Sequence, residues 1–131
     1  MNRRLAALTL LVPDYDEAIA WFTQKIEFIK VEDVVLGAGK RWVVVAPEAG
    51  GVEIVLAQPG DERQRARIGD QTGGRVMLFL RTDDFAGDHA AMLAKGVRFV
   101  EAPRVETYGT VAVFADAWGN LWDLIEPSPS P

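Results

Sequence analysis

Cysteine is absent from the 131 residues, and histidine occurs once, as His89. Without thiols the chain has no disulfide, no thiolate nucleophile, no thiolate zinc site and no iron–sulfur cluster. One imidazole excludes a multi-histidine metal site within one chain. Basic charge is also scarce: 14 Lys and Arg stand against 19 Asp and Glu, a net charge of −5, with no basic stripe. Nucleic-acid binding rests on phosphate neutralisation, so nucleic acid is not an expected partner. No apolar run approaches the roughly 18 residues of a membrane-crossing helix. At the N-terminus Pro13 and the acids from Asp14 onward arrive too early for a signal peptide. A cytoplasmic protein with no membrane partner is the expectation.

What is present is an ordinary globular balance, 49% hydrophobic and 25% charged, suited to one compact domain over residues 1–131. Leu5 to Val12 is a continuous apolar run ended by Pro13, the pattern of a strand buried on both faces. Asp14 is placed to cap a helix, with Glu17 three residues on. Ala18, Ile19, Phe22 and Ile26 follow at helical spacing and lay one face on a sheet. Trp21, at the edge of that face, reads as packing. Phe28 to Leu36 is a second strand, Gly37 to Lys40 a hairpin loop, and Trp42 to Ala46 with Val52 to Ala57 a hairpin.

The plan then repeats. After a polar, Gly-bounded connector at about 59–74, Arg75 to Arg81 repeats the first strand. Asp83 or Asp84 caps a helix carrying Phe85, Ala86, Ala90, Leu93 and Ala94, which stops at Gly96. Val97 to Val100 is a strand, Glu101 to Tyr108 a connection broken by Pro103, and Gly109 to Glu126 a final hairpin holding Asp123. Each half reads β-α-β-β-β: module 1 at about 4–58, module 2 at about 75–127, and a disordered Pro/Ser tail at 128–131. His89 reads as a surface or boundary residue.

The segments LTLLVPDYDEAIAWFTQKIEF, KRWVVVAP, VEIVL, LFLRTDDF, AKGVRFVEAP and YGTVAVFADAWGNLWDLIEP resemble the vicinal oxygen chelate superfamily. That group includes glyoxalase I, bleomycin-resistance proteins and extradiol dioxygenases. The resemblance implies an α+β fold of two βαβββ modules, whose mixed sheets curl into a cup with helices outside. It also implies that the first strand of each module offers a His or Gln, and the last a Glu, to a metal. Matched onto this sequence, those positions are Ala7 and Arg75, and Glu53 and Asp123.

Two of the four are not ligands. First-row divalent metals want about three imidazole or carboxylate donors, so no cofactor is expected; a divalent metal, if held, would rest on Glu53 and Asp123. Strand alternation turns Glu53 and Val55 to the cup and Ile54 and Leu56 to the helix side. It likewise turns Asp123 to the cup between Trp122 and Leu124, and Arg75, Met77 and Phe79 to the cup above Val76, Leu78 and Leu80. Arg75, a fixed cation, is placed to pair with Glu53, Asp123 or both. Trp42, Tyr108 and Trp118 are candidates for stacking on a flat ligand, whereas Trp122 packs. The expected function is binding of a small organic ligand without a catalytic metal, in a homodimer. The alternative is a metal-dependent lyase, isomerase or dioxygenase using Glu53 and Asp123.

Overall fold

The computed structural model describes residues 1–129 and divides into two compact units, Met1–Ile68 and a second beginning at Gly69. It is a mixed α+β structure with two open sheets. Unit 1 runs β1 (Ala7–Leu11), α1 (Tyr15–Lys25), β2 (Phe28–Gly37), β3 (Lys40–Pro47), β4 (Glu53–Ala57) and a short α2 (Glu62–Arg65). Its sheet has the order β1-β4-β3-β2, with β1 parallel to β4 and the other pairs antiparallel.

Asp14 caps α1 as its spacing requires, accepting from the Glu17 amide at 2.8 Å. Ala18 and Phe22, both fully buried, press on the sheet face made by Val43, Val45, Ile54 and Leu56. Burying a side chain such as Phe22 stabilises the fold by about 1.5 to 3 kcal/mol. Trp21 is half-buried, edge-on to Phe22 at 5.1 Å. The expectation for β1 needs correction. Ala7 and Thr9 are exposed and only Leu10 is buried: β1 is an edge strand covered by the helix on one side, and an apolar run cannot by itself tell one covered face from two.

Unit 2 runs β5 (Val76–Arg81), α3 (Phe85–Ala94), β6 (Arg98–Phe99), β7 (Arg104–Glu106), β8 (Gly109–Ala115) and β9 (Leu121–Pro127). The sheet order is β5-β9-β8-β6, with β7 also on β8 and β5 parallel to β9. The strand expected at Val97 to Val100 is only two residues long. A further one, β7, lies inside the expected connection, because Pro103 has no amide to donate and splits the pairing with β8 in two. In α3, capped by Asp84, Phe85 and Met92 are the buried residues, while Leu93 is 49% exposed. The buried face is Phe85–His89–Met92, and His89 stacks on Phe85 and meets Phe99 edge-on at 4.4 Å.

Both units fasten the first helical amide to the end of the last strand. Tyr15 N donates to Gln58 Oε1 at 3.0 Å, and Phe85 N to Glu126 Oε1 at 2.8 Å. The β8–β9 turn is organised by Asp116, 5% exposed. Its Oδ1 accepts from the amides of Trp118, Gly119 and Asn120, and its Oδ2 from Asn120 Nδ2 and Trp122 Nε1. Gly69 passes so close to this turn that a Cβ there would lie 1.9 Å from the Trp118 carbonyl oxygen. Of the tail expected at 128–131, Ser128 bonds back to Thr107 and Tyr108; residues 130 and 131 lie outside the described residues.

Candidate functional site

In unit 1 the helix-free sheet face carries Ala7 and Thr9 of β1, Glu53 and Val55 of β4, and Val44 of β3. Glu53 is half-buried and directly paired with Ala7. It borders a hollow of about 270 Å³ with Arg4, Leu5 and Val52. Trp42 belongs elsewhere on this face. It precedes Val43, the partner of Leu56, and so lies level with Ala57, about 13 Å along the strand from Glu53. There Trp42, Thr9, Leu36, Val55, Ala57 and Gln58 contribute to a cleft of about 620 Å³.

Trp42 is fixed from two sides. Its indole N–H donates to Glu32. The neighbouring Arg41 donates to Asp33 at 2.8 and 3.1 Å and to Asp16 at 3.0 Å, with its guanidinium 5.1 Å from the centre of the Tyr15 ring. The bond from Arg41 holds Asp33 below the usual carboxylate range, with burial opposing.

In unit 2 Arg75 is exposed and immediately precedes β5. With Gly74, Val76 and Phe79 it lines a hollow of about 380 Å³. The strand alternation expected from Arg75 onward is interrupted by a register shift between Val76 and Leu78. Phe79, 66% exposed, is the direct partner of Asp123, whose other neighbour is Val113 of β8. Trp122 and Leu124, on the helix side, are 2% and 1% exposed, so Asp123 stands on the open face.

Asp123 is half-buried, and its Oδ1 is buried without a hydrogen-bond partner among the described residues. Burial raises its pKa, Arg104 opposes this and Glu101 adds to it. The cation acting on Asp123 within this unit is therefore Arg104, not the expected Arg75. Arg104 donates to both oxygens of Glu101, to Glu106 at 2.9 Å and to the Tyr108 hydroxyl at 3.3 Å; these partners raise its pKa, Tyr108 most. Tyr108 is 54% exposed. Trp118, half-buried, sits in the Asp116 turn and is held there through its amide.

The internal repeat puts the two carboxylates at different levels. Glu53 lies five residues before Gln58, and Asp123 three before Glu126, although those two ends make the same bond to their helices. Asp123 thus matches Val55, and Phe79 matches Thr9. Arg104, Glu101 and Asp116 were not singled out from sequence. The spacing Glu101-x-x-Arg104-x-Glu106-x-Tyr108 around Pro103 was the available signal for the first two.

The chain belongs to the glyoxalase/bleomycin resistance protein/dioxygenase superfamily, whose sequence model matches residues 4–124. It is 46% identical over 128 residues to an uncharacterised protein of Shewanella frigidimarina (strain NCIMB 400), covering 96% of this chain and 95% of that one. Among solved structures it is similar to TnmS3, an antibiotic binding protein from Streptomyces sp. CB03234, at 27% identity and a TM-score of 0.78, covering 97% and 98% of the two chains. A superfamily member from Sphaerobacter thermophilus DSM 20745 gives 25% identity and a TM-score of 0.80, covering 95% and 98%.

The superfamily name includes dioxygenases, a class for which a metal site is a natural question. In neither unit, among the described residues, do three His, Cys, Asp or Glu side chains gather closely enough to hold an ion. Ala7 beside Glu53 offers no donor atom, and a guanidinium at Arg75 cannot be deprotonated. Among the described residues no helix is long and apolar enough to cross a membrane.

Proposed function

We propose that the protein is a cytoplasmic, homodimeric binder of a small organic molecule, held against the helix-free sheet faces without a catalytic metal. The observation that carries this reading is the cleft of about 620 Å³ in unit 1, with Trp42 anchored on its wall. Its volume falls within the roughly 300 to 1,000 Å³ of small-molecule sites. An indole already fixed by a hydrogen bond loses little entropy when a flat ring stacks on it. The antibiotic binding named for TnmS3 supports the same class of ligand.

Thermal unfolding with a panel of flat aromatic antibiotics tests the reading. A ligand at 100 times its dissociation constant adds about 2.7 kcal/mol, which raises the melting temperature by several degrees. At least one compound is expected to do so for the native chain and to lose the effect in Trp42→Ala. Nickel, zinc, iron or manganese is expected to leave the melting temperature unchanged. A metal-induced rise reversed by chelator would instead favour the metal-dependent lyase, isomerase or dioxygenase built on Glu53 and Asp123.

Support for the dimer comes from β2, the outer strand of its sheet, where Val34, Val35 and Leu36 are 51%, 76% and 55% exposed. A bare apolar edge is a template for association unless another chain covers it. Light scattering coupled to gel filtration should give about twice the chain mass of 14.4 kDa. A monomer at micromolar concentration overturns this part of the reading alone.

A further inference from the structure

Among the described residues of unit 2, one buried side-chain oxygen has no hydrogen-bond partner. The Asp123 side chain accepts no hydrogen bond among the described residues, and its Oδ1 is shut off from solvent. Its acidic neighbour Glu101 is engaged by Arg104, which also donates to Glu106 and to the Tyr108 hydroxyl. Glu101 and Arg104 offset each other, which leaves the Asp123 carboxylate with no cation bonded to it among the described residues. No hydrogen bond or ion pair among the described residues joins Arg104 to Asp123, and the second oxygen of Asp123 lies on the more accessible side of this half-buried residue.

Directly across the β5–β9 pairing, about 4.8 Å away between strands, stands Phe79, a large apolar side chain two-thirds exposed on the same face. The hollow beside it, about 380 Å³, has room for a molecule of one or two rings. Arg75 also lines that hollow, but it is exposed and lies four residues back along the chain from Phe79. That is about 13 Å in extended backbone, and solvent and salt around the exposed guanidinium weaken its repulsion of a cation placed at Asp123.

We propose that this face of unit 2 takes an aromatic amine, with the ring on Phe79 and the ammonium on Asp123. The inference rests on the small-molecule reading above and adds the ligand's charge and the residue that selects it. A cationic donor on the more accessible oxygen of Asp123 would offset the carboxylate's charge, the buried Oδ1 remaining out of its reach. A neutral isostere would gain only the ring contact, and an anion would be repelled. Ammonium-to-carboxylate bonds are the stronger, charge-assisted class.

The test uses the intact 15N-labelled protein at neutral pH, titrated with tryptamine and with 3-methylindole, its neutral counterpart. Tryptamine is expected to shift amides around Phe79 and Asp123 and to bind about tenfold more tightly than 3-methylindole. Asp123→Asn should bring the two probes to equal affinity while leaving the ring contact. Equal affinities in the native protein, or a tryptamine preference that survives Asp123→Asn, would overturn the proposal. Shifts confined to unit 1 would overturn it too, yet leave the small-molecule reading standing. Absence of shifts in both units, together with no response to the antibiotic panel, would remove both.

Discussion

Asp116→Ala is expected to cost about 3 to 5 kcal/mol of stability, because it removes the shared acceptor of several buried hydrogen bonds to one charged group, each worth about 1.5 to 3 kcal/mol and not additive in full. The carboxylate is 5% exposed and accepts five hydrogen bonds between 3.0 and 3.2 Å. Truncation removes the Asp116 acceptor from the Trp122 indole N–H and the Asn120 amide in a dry environment, and losing the acceptor of a buried donor costs about 1 to 3 kcal/mol. Asp116→Asn would not rescue it. Its carbonyl can serve the three turn amides, but its NH2 would then face the Asn120 and Trp122 donors with no acceptor between them. Urea unfolding of both variants checks this, with a loss under 1 kcal/mol in Asp116→Ala as the contrary result. The consequence reaches the site, because this turn sets where β9 begins and so which residue stands opposite Phe79.

The same turn shows what was legible in the chain. Its hairpin, the Asp14 cap and the burial of Phe22 follow from local chemistry: turn residues, an acid at a helix start, apolar residues at a period of 3.6. The duplicated order of elements followed from repeating those signals. What stayed hidden depends on register and long-range pairing. The shift between Val76 and Leu78 leaves no mark in composition, yet it changes which β5 side chains share a face with Asp123. Pro103 was visible as a break, but not the three-residue β7 behind it, which brings Arg104 into play. A motif match put Glu53 and Asp123 at equivalent places because both are acids in a last strand. Only the paired bonds to Tyr15 and Phe85 show them two residues apart.

Asp123→Asn is expected to stabilise the protein by about 1 to 2 kcal/mol at neutral pH, since a buried oxygen without a partner is costly and more so when charged. The asparagine keeps the shape, loses the charge and can turn its NH2 toward the more accessible side. The sign with pH follows from the raised native pKa, which burial causes. Between the ordinary value of 3.8 and that raised value the native state binds more protons at this site than the unfolded state, so Asp123's contribution makes the wild type more stable as pH falls through the interval. The penalty is present in full above the native pKa and gone below 3.8. The advantage of Asp123→Asn should therefore be largest at pH 7 and shrink as pH falls through that interval. Denaturant unfolding of both proteins across pH measures it. Groups common to both chains cancel in the difference, apart from changes in their coupling to Asp123 through Arg104 and Glu101. An advantage that stays constant with pH would show that the orphaned oxygen is not where the cost lies. A stabilising substitution that also removes the selectivity for tryptamine over 3-methylindole would mean that Asp123 is retained for binding at the expense of the fold.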